Sequence, residues 1–296
     1  MTYLRLIKYP GAKTVLIPDI NRVFSTSRTR LLVDVFGGSG TVSLNIRSKE
    51  TVYNDINGEI FNLFLSIREE PQYLSTCLSD LLDSARYGQS EKENDHKSRK
   101  SGREKNIALK NEINSILNSF HRENDPLRIN SLPHKKLAFS TLCRFSASFG
   151  GMGDTYSTET EKSLYTYMRK TLHDFKNISI AVSRWKIENL DFREIMKKYD
   201  STSTFFYLDP PYPGKDWYDN TFGMDDYNDI QELFETMSGK YLMNLDSRHT
   251  NLEGIFGKPA FVKRYFNMNS KQTPDNRGRL RSFYTNVSME KDVVII

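Results

Sequence analysis

Phe205-Phe206-Tyr207-Leu208-Asp209-Pro210-Pro211-Tyr212 is the stretch that organises the chain. Its first four residues are aromatic and apolar, as in a buried strand, and the two prolines that follow cannot continue a hydrogen-bonded ladder. Asp209 therefore falls at the C-terminal edge of a strand, the edge outside which open α/β sheets bind ligands. Proline fixes φ and brings no N–H, so the backbone carbonyls here are stiffly aimed at whatever enters. A carboxylate, a fixed carbonyl and a ring together suit a flat amine. Asp209 and the Pro210 carbonyl would accept hydrogen bonds from an exocyclic amino group while Tyr212 stacks on the heterocycle. The plainer reading of the same residues is a strand ending in a Pro-Pro turn.

A second cradle lies earlier in the chain. Leu31 to Val35 reads as a buried strand running into Phe36-Gly37-Gly38-Ser39-Gly40-Thr41, after which Val42 begins a helix. A strand, a glycine-rich turn and a helix N-terminus let a ligand touch backbone N–H groups. The loop lacks the Gly-Lys-Ser/Thr of a phosphate loop, and its spacing is shorter than the dinucleotide fingerprint. Thr51-Val52-Tyr53 forms the next short strand, and Asp55 at its end is placed to take ribose hydroxyls. Before all of this, Tyr9-Pro10-Gly11-Ala12-Lys13 is a turn with a ring on one side and an ammonium on the other. Asp191-Phe192 precedes the Asp209 strand by one strand-length. This pair either lends a carboxylate and a ring to a cofactor's base or caps the helix Arg193 to Tyr199.

With 296 residues the chain holds one large domain or a domain with an insert. It has no apolar run of membrane-spanning length and no signal-peptide core, so a cytoplasmic protein without a membrane partner is expected. Cys77 and Cys143 lack metal-ligand spacing and read as buried structural thiols, with no metal site expected. The net charge of +5 is unevenly spread: residues 87–176 carry 16 Lys/Arg against 11 Asp/Glu. A second basic cluster, Lys258 to Arg281, holds seven basic residues and one acid, Asp275. Such segments suit a polyanion, although charge runs are more often solvated faces.

The middle of the chain reads as helices around Ile60 to Ile67, Tyr73 to Leu82 and Ile107 to Phe120, with a mobile polar stretch from Gly88 to Lys105. Leu137 to Gly153 is an apolar run containing Arg144. Tyr165, Tyr167, Arg169 and Lys170 interleave rings and charge as a nucleic-acid face would, or as an amphipathic packing face would. Asn177 to Lys186 adds strand-like residues, and strands are expected at Tyr241 to Leu245, Phe261 to Phe266 and Phe283 to Val287.

Phe36-x-Gly38-x-Gly40 early and Asp209-Pro210-Pro211-Tyr212 late, with a basic segment between them, resemble the Dam-type (D12 class) DNA adenine-N6 methyltransferases in their α-arrangement. Tyr9 to Lys13 looks like that family's N-terminal motif, Asn54-Asp55 like its ribose-binding motif, and Asp191-Phe192 like the pair before its catalytic strand. The resemblance implies an α/β, Rossmann-like class I methyltransferase fold with a mixed sheet and an inserted, mainly helical target-recognition subdomain. The methyltransferase domain would comprise residues 1–66 (cofactor side) and 177–296 (catalytic side), with the insert at 67–176. It implies S-adenosylmethionine as methyl donor, double-stranded DNA as partner, base flipping, and no metal.

By the same resemblance Asp209, Pro210, Pro211 and Tyr212 are catalytic. Tyr9, Gly11, Lys13, Asp34, Phe36, Gly38, Gly40, Asp55, Asp191, Phe192 and Asp209 hold the cofactor. Arg144, Lys271, Arg277, Arg279 and Arg281 are the expected DNA contacts. Gly11-Ala12-Lys13 departs from the family's frequent Gly-Gly-Lys, and Arg144 to Thr155 does not reproduce the pattern of GATC-specific members. A sibling acting on cytosine N4 or a protein amide more usually begins its motif with Ser or Asn where this chain has Asp209. A DNA-binding relic would have lost the glycine loop or Asp209, and both are intact.

Overall fold

The computed structural model describes residues 3–8, 13–87, 101–123, 133–148, 164–211, 222–246, 252–265 and 279–289. Among them a seven-stranded sheet is formed by β1 (Leu31–Asp34), β2 (Glu50–Asn54), β3 (Trp185–Glu188), β4 (Thr204–Leu208), β5 (Lys240–Asp246), β6 (Phe261–Tyr265) and β7 (Arg279–Thr285). The helices are α1 (Ile17–Ser27), α2 (Thr41–Asn45), α3 (Gly58–Glu69), α4 (Pro71–Tyr87), α5 (Gly102–Glu123), α6 (Lys135–Ala147), α7 (Leu164–Val182), α8 (Phe192–Tyr199), α9 (Met224–Thr236) and α10 (Glu253–Phe256).

The strand order is β3-β2-β1-β4-β5-β7-β6. β1 is parallel to both β2 and β4, and β4 is parallel to β5. β7 runs antiparallel to both β5 and β6, which makes the sheet mixed. All five residues of β4 are buried, as expected of a central parallel strand covered on both faces. The order reverses between β1 and β4: the chain builds outward from β1 through β2 to β3, then returns to start again on the other side of β1. In open α/β sheets, ligands bind outside the carboxyl ends of the strands at such a reversal. Asp34 ends β1 in register with Tyr207, two residues before Asp209.

By compactness the chain divides into two units. The sheet unit is Lys13–Gly37, Asn45–Ile56 and Glu188–Ile296. Its core joins Val33, Val52, Phe206, Leu208 and Met243 of the strands to Ile195 and Met196 of α8 and Ile230 of α9. The helical unit is Met1–Ala12, Gly38–Leu44 and Asn57–Ile187, in which α3 packs on α6 and α7. Leu74, Leu78 and Leu81 are buried on one face of α4, as their spacing predicts.

Two local expectations are revised. Asn177 to Val182 continues α7: Leu164, Met168, Thr171, Phe175, Ile178 and Val182 are all buried at alternating four- and three-residue spacing. That helical stripe overrides the β preference of Ile178 and Val182, and only Trp185–Glu188 is strand. Helix α5 starts at Gly102, so the last residues of the polar stretch Gly88 to Lys105 are helical, while 88–100 lie outside the described residues. No described helix is long and apolar enough to cross a membrane.

Candidate active site

Asp209 leaves the end of β4, and two donors meet its carboxylate. Lys13 Nζ forms an ion pair with Oδ2, its side chain only 6% exposed, and Asn244 Nδ2 donates to Oδ1 at 3.1 Å. Burial lowers the pKa of Lys13. Asp209 and Asp246 oppose that shift and Arg281 adds to it. Asn244 sits fully buried on β5, and the hydroxyl of Tyr207 on β4 donates to its Oδ1. The amide has one sensible orientation, because a carboxylate only accepts and must face the NH2. An amide left unsatisfied at this depth would cost about 1–3 kcal/mol. Tyr227 on α9 donates its hydroxyl to the Pro211 carbonyl, and burial, then Asp209 and Asp226, push its pKa up. Of the two proline carbonyls, the Pro211 one thus accepts from Tyr227.

Arg281 lies at the same end of the sheet. Its place in a basic run marks it as a phosphate contact, but it is 8% exposed and its guanidinium lies 3.6 Å from Asp246, its partner in the β5–β7 register. This geometry holds the guanidinium against Asp246. Nearby on β6, Lys263 and Tyr265 both bond to Asp19 of α1, at 2.8 and 2.9 Å. That pairing occupies one cation of the C-terminal basic cluster.

The residues expected to hold a cofactor lie in part at the ends of β1 and β2. Asp34 is buried and Phe36 follows, its ring 5.8 Å from both Phe192 and Phe222. Buried Asn54 ties this region together. Its Nδ2 donates to the carbonyls of Val35 at 2.9 Å and Leu190 at 3.0 Å, and its Oδ1 accepts from the Leu190 amide at 2.9 Å. Asp55 is buried, and its backbone is held by the Glu188 carbonyl at 3.3 Å and by Asn189 Nδ2 at 2.7 Å. Asp191 caps α8, accepting from the Arg193 amide at 2.9 Å. It also pairs with the Arg193 guanidinium, which lies 4.2 Å over the Phe192 ring and is gripped by Asp226 and Asp229. Helix capping is therefore observed for Asp191, and Phe192 is presented on a clamped helix start.

The loop after β1 is shaped for close backbone approach. A Cβ on Gly37 would come within 2.2 Å of the Tyr53 ring, so that position is closed to any side chain. Gly38 and Gly40 have φ of 48° and 66°, the left-handed region that glycine enters without strain. These belong to the helical unit by compactness, where a Cβ on Gly40 would strike Phe64 at 2.6 Å. In the sheet unit, a position closed to side chains at Gly37, a buried carboxylate at Asp55 and the Phe36–Phe192 rings are groups that fit a nucleoside with a ribose and a flat base.

Within the helical unit, Arg144 on α6 pairs with Glu59 of α3 and stays partly exposed. Tyr167 is turned inward, its hydroxyl donating to the Leu6 carbonyl at 3.2 Å, and burial raises its pKa. Arg169 is exposed, while Lys170 pairs with Asp174. Cys143 is buried, with a pKa raised by that burial, and Cys77 is partly exposed. Tyr9, Gly11, Tyr212, Lys271 and Arg277 lie outside the described residues, and Arg279 is described only as a backbone position on β7. The site residues not anticipated are Asn244, Tyr227 and Arg193. A polar Asn244 in the apolar run Tyr241 to Leu245 was the one local signal.

Comparison with known proteins gives two findings. A family model described as D12 class N6 adenine-specific DNA methyltransferase matches residues 9–263. Among curated proteins, Modification methylase StsI of Streptococcus sanguinis is 22% identical over 231 residues, covering 77% of this chain and 32% of that protein. The chain thus spans about a third of the length of this relative.

Proposed function

This chain belongs to the D12 class N6 adenine-specific DNA methyltransferase family, and from that premise we propose that it methylates adenine N6 in double-stranded DNA, using S-adenosylmethionine. The fold reading that goes with it is the class I methyltransferase arrangement. The observation that carries the proposal is Asp209 at the edge of β4, next to the switch point, with donors already on both carboxylate oxygens. A group that holds an ammonium and an amide NH2 is built to hold an exocyclic amine.

Bound cofactor would supply an electrophilic methyl. Asp55 would take the ribose hydroxyls, the Phe36 and Phe192 rings would flank the base, and Gly37 would leave the backbone open to contact. At the acceptor, Asp209 and the Pro210 carbonyl accept the two N–H bonds of the amine. Two acceptors out of the ring plane favour a pyramidal nitrogen and aim its lone pair, which is otherwise delocalised into the heterocycle. Orientation is thus the protein's main contribution, and one N–H proton leaves to solvent after transfer. In a duplex the amine is inside the stack, so the base turns out, with Tyr212 proposed as the replacement stacking partner.

The helical unit, with Arg144 and the α7 segment Tyr165 to Lys170, is proposed to read the target, and Lys271, Arg277 and Arg279 to hold phosphates. The protein is proposed to act in the cytoplasm. The test is nucleoside analysis of unmethylated DNA after incubation with protein and S-adenosylmethionine. N6-methyldeoxyadenosine is expected. Methyl on cytosine, or on no base, overturns the proposal.

A further inference from the structure

Most polar groups at this end of the sheet have an evident task, but the buried pair Tyr207 and Asn244 does not. Both residues are essentially inaccessible, 1% and 0% exposed, with apolar neighbours in sequence on their strands: Phe206 and Leu208 on β4, Met243 and Leu245 on β5. Neither can reach a ligand. Together they form a chain of hydrogen bonds that ends on the carboxylate: the Tyr207 hydroxyl donates to Asn244 Oδ1, and Asn244 Nδ2 donates to Asp209 Oδ1. We propose that Tyr207 and Asn244 are the positioning residues for Asp209, fixing the rotation of its carboxylate so that its second oxygen faces the acceptor amine. This rests on the reading of Asp209 as the group that holds that amine.

Rotational freedom is what the pair removes. Asp209 stands just past the last residue of β4, where the ladder no longer restrains its side chain, and carboxylate rotation about its last bond is soft. Asn244 comes from the neighbouring parallel strand and its amide could rotate too. The carboxylate sets the flip of that amide, since only Nδ2 can donate to it, and the Tyr207 hydroxyl, donating to Oδ1 from the buried side, holds the amide in that plane. Oδ1 of Asp209 is held by a group that has nowhere to go. Oδ2 is met by Lys13, at the start of the sheet unit, and this is the oxygen an amine would share or take over. The two carboxylate oxygens therefore have different tasks, one anchored and one presented.

The test uses Tyr207→Phe, which removes one oxygen, and Asn244→Leu, which removes the amide at similar volume. Methyl transfer to unmethylated amplified genomic DNA is measured together with cofactor affinity by calorimetry. We expect kcat to fall roughly 10-fold in Tyr207→Phe and roughly 100-fold in Asn244→Leu, the size of a misplaced reacting group, with KM for DNA and cofactor Kd within about twofold of wild type. A second readout needs no turnover. In protein labelled with 13C-aspartate, the infrared carboxylate band assigned by its absence in Asp209→Asn should shift in both variants. Should Asn244→Leu fail to fold, Tyr207→Phe carries both measurements. Unchanged kcat with an unmoved band, or cofactor affinity falling in parallel with rate, overturns the inference. If wild-type protein methylates no DNA, the reaction reading fails separately, and the infrared band still decides whether these residues position Asp209.

Discussion

Asn54 bonds to Leu190 in both directions, giving its Nδ2 to the Leu190 carbonyl at 3.0 Å and accepting the Leu190 amide at 2.9 Å on its Oδ1. One side chain thus imitates a strand neighbour and holds the segment that leads into Asp191 and Phe192. Asn54→Leu leaves these backbone groups and the Val35 carbonyl without that partner. It should lower stability by about 1–3 kcal/mol and weaken cofactor binding with it. Denaturant titration and calorimetry check the pair of effects, and a variant as stable and as tight as wild type contradicts this role.

Gly37→Ala forces a Cβ into the fully buried Tyr53 ring, which is 2.2 Å away and has no exposed side to move toward. Overpacking of this kind should cost about 1–3 kcal/mol. Asp55→Ala should leave stability nearly untouched while cofactor affinity drops about tenfold, the worth of one good hydrogen bond. Calorimetric titration of the two variants, beside their unfolding curves, separates a shape defect from a missing hydrogen bond.

Lys13 yields a signed pH prediction. Its pKa is lowered from 10.5 by burial, so the unfolded chain binds more protons than the folded one between the lowered value and 10.5. Stability therefore gains a rising contribution from Lys13 as pH climbs through that window, and the contribution is complete above 10.5. Lys13→Met should flatten the rise that urea unfolding measures as pH climbs toward 10.5. An identical slope in the variant contradicts a buried, destabilised ammonium.

Salt dependence distinguishes the basic residues near the C-terminus from one another. Neutralising Lys271, Arg277 and Arg279 should reduce the slope of log affinity against log salt by about 0.9 for each phosphate that is no longer neutralised. Arg281→Gln should leave that slope alone and instead lower stability or methyl transfer, because its guanidinium lies against Asp246 inside the sheet. Gel shifts over a salt series with each variant make the comparison.

The parts legible in the sequence were those set by local chemistry. Prolines after an apolar run placed Asp209 at a strand end, and glycines after Leu31 to Val35 placed the cradle. What stayed hidden depends on pairings far apart in the chain. Arg281 looked like a phosphate contact because it stands in a basic run, and only its antiparallel register opposite Asp246 shows it to be a buried partner. Asn244 and Tyr227 reach Asp209 and Pro211 across the fold, and no spacing within their own segments announces that. Ile178 and Val182 look like strand residues until the buried stripe of α7 is seen whole.

The proposed role of Asp209 is to orient the acceptor amine, and Asp209→Asn addresses that role most directly, since the shape is kept while a strong acceptor is replaced by a group that also donates. Transfer of tritiated methyl to duplex DNA is measured for wild type and variant alongside a gel shift on the same duplex. The predicted result is N6-methyldeoxyadenosine from the wild type and a fall of at least roughly 100-fold in the variant, with DNA binding retained. Near-normal transfer by Asp209→Asn would contradict that role.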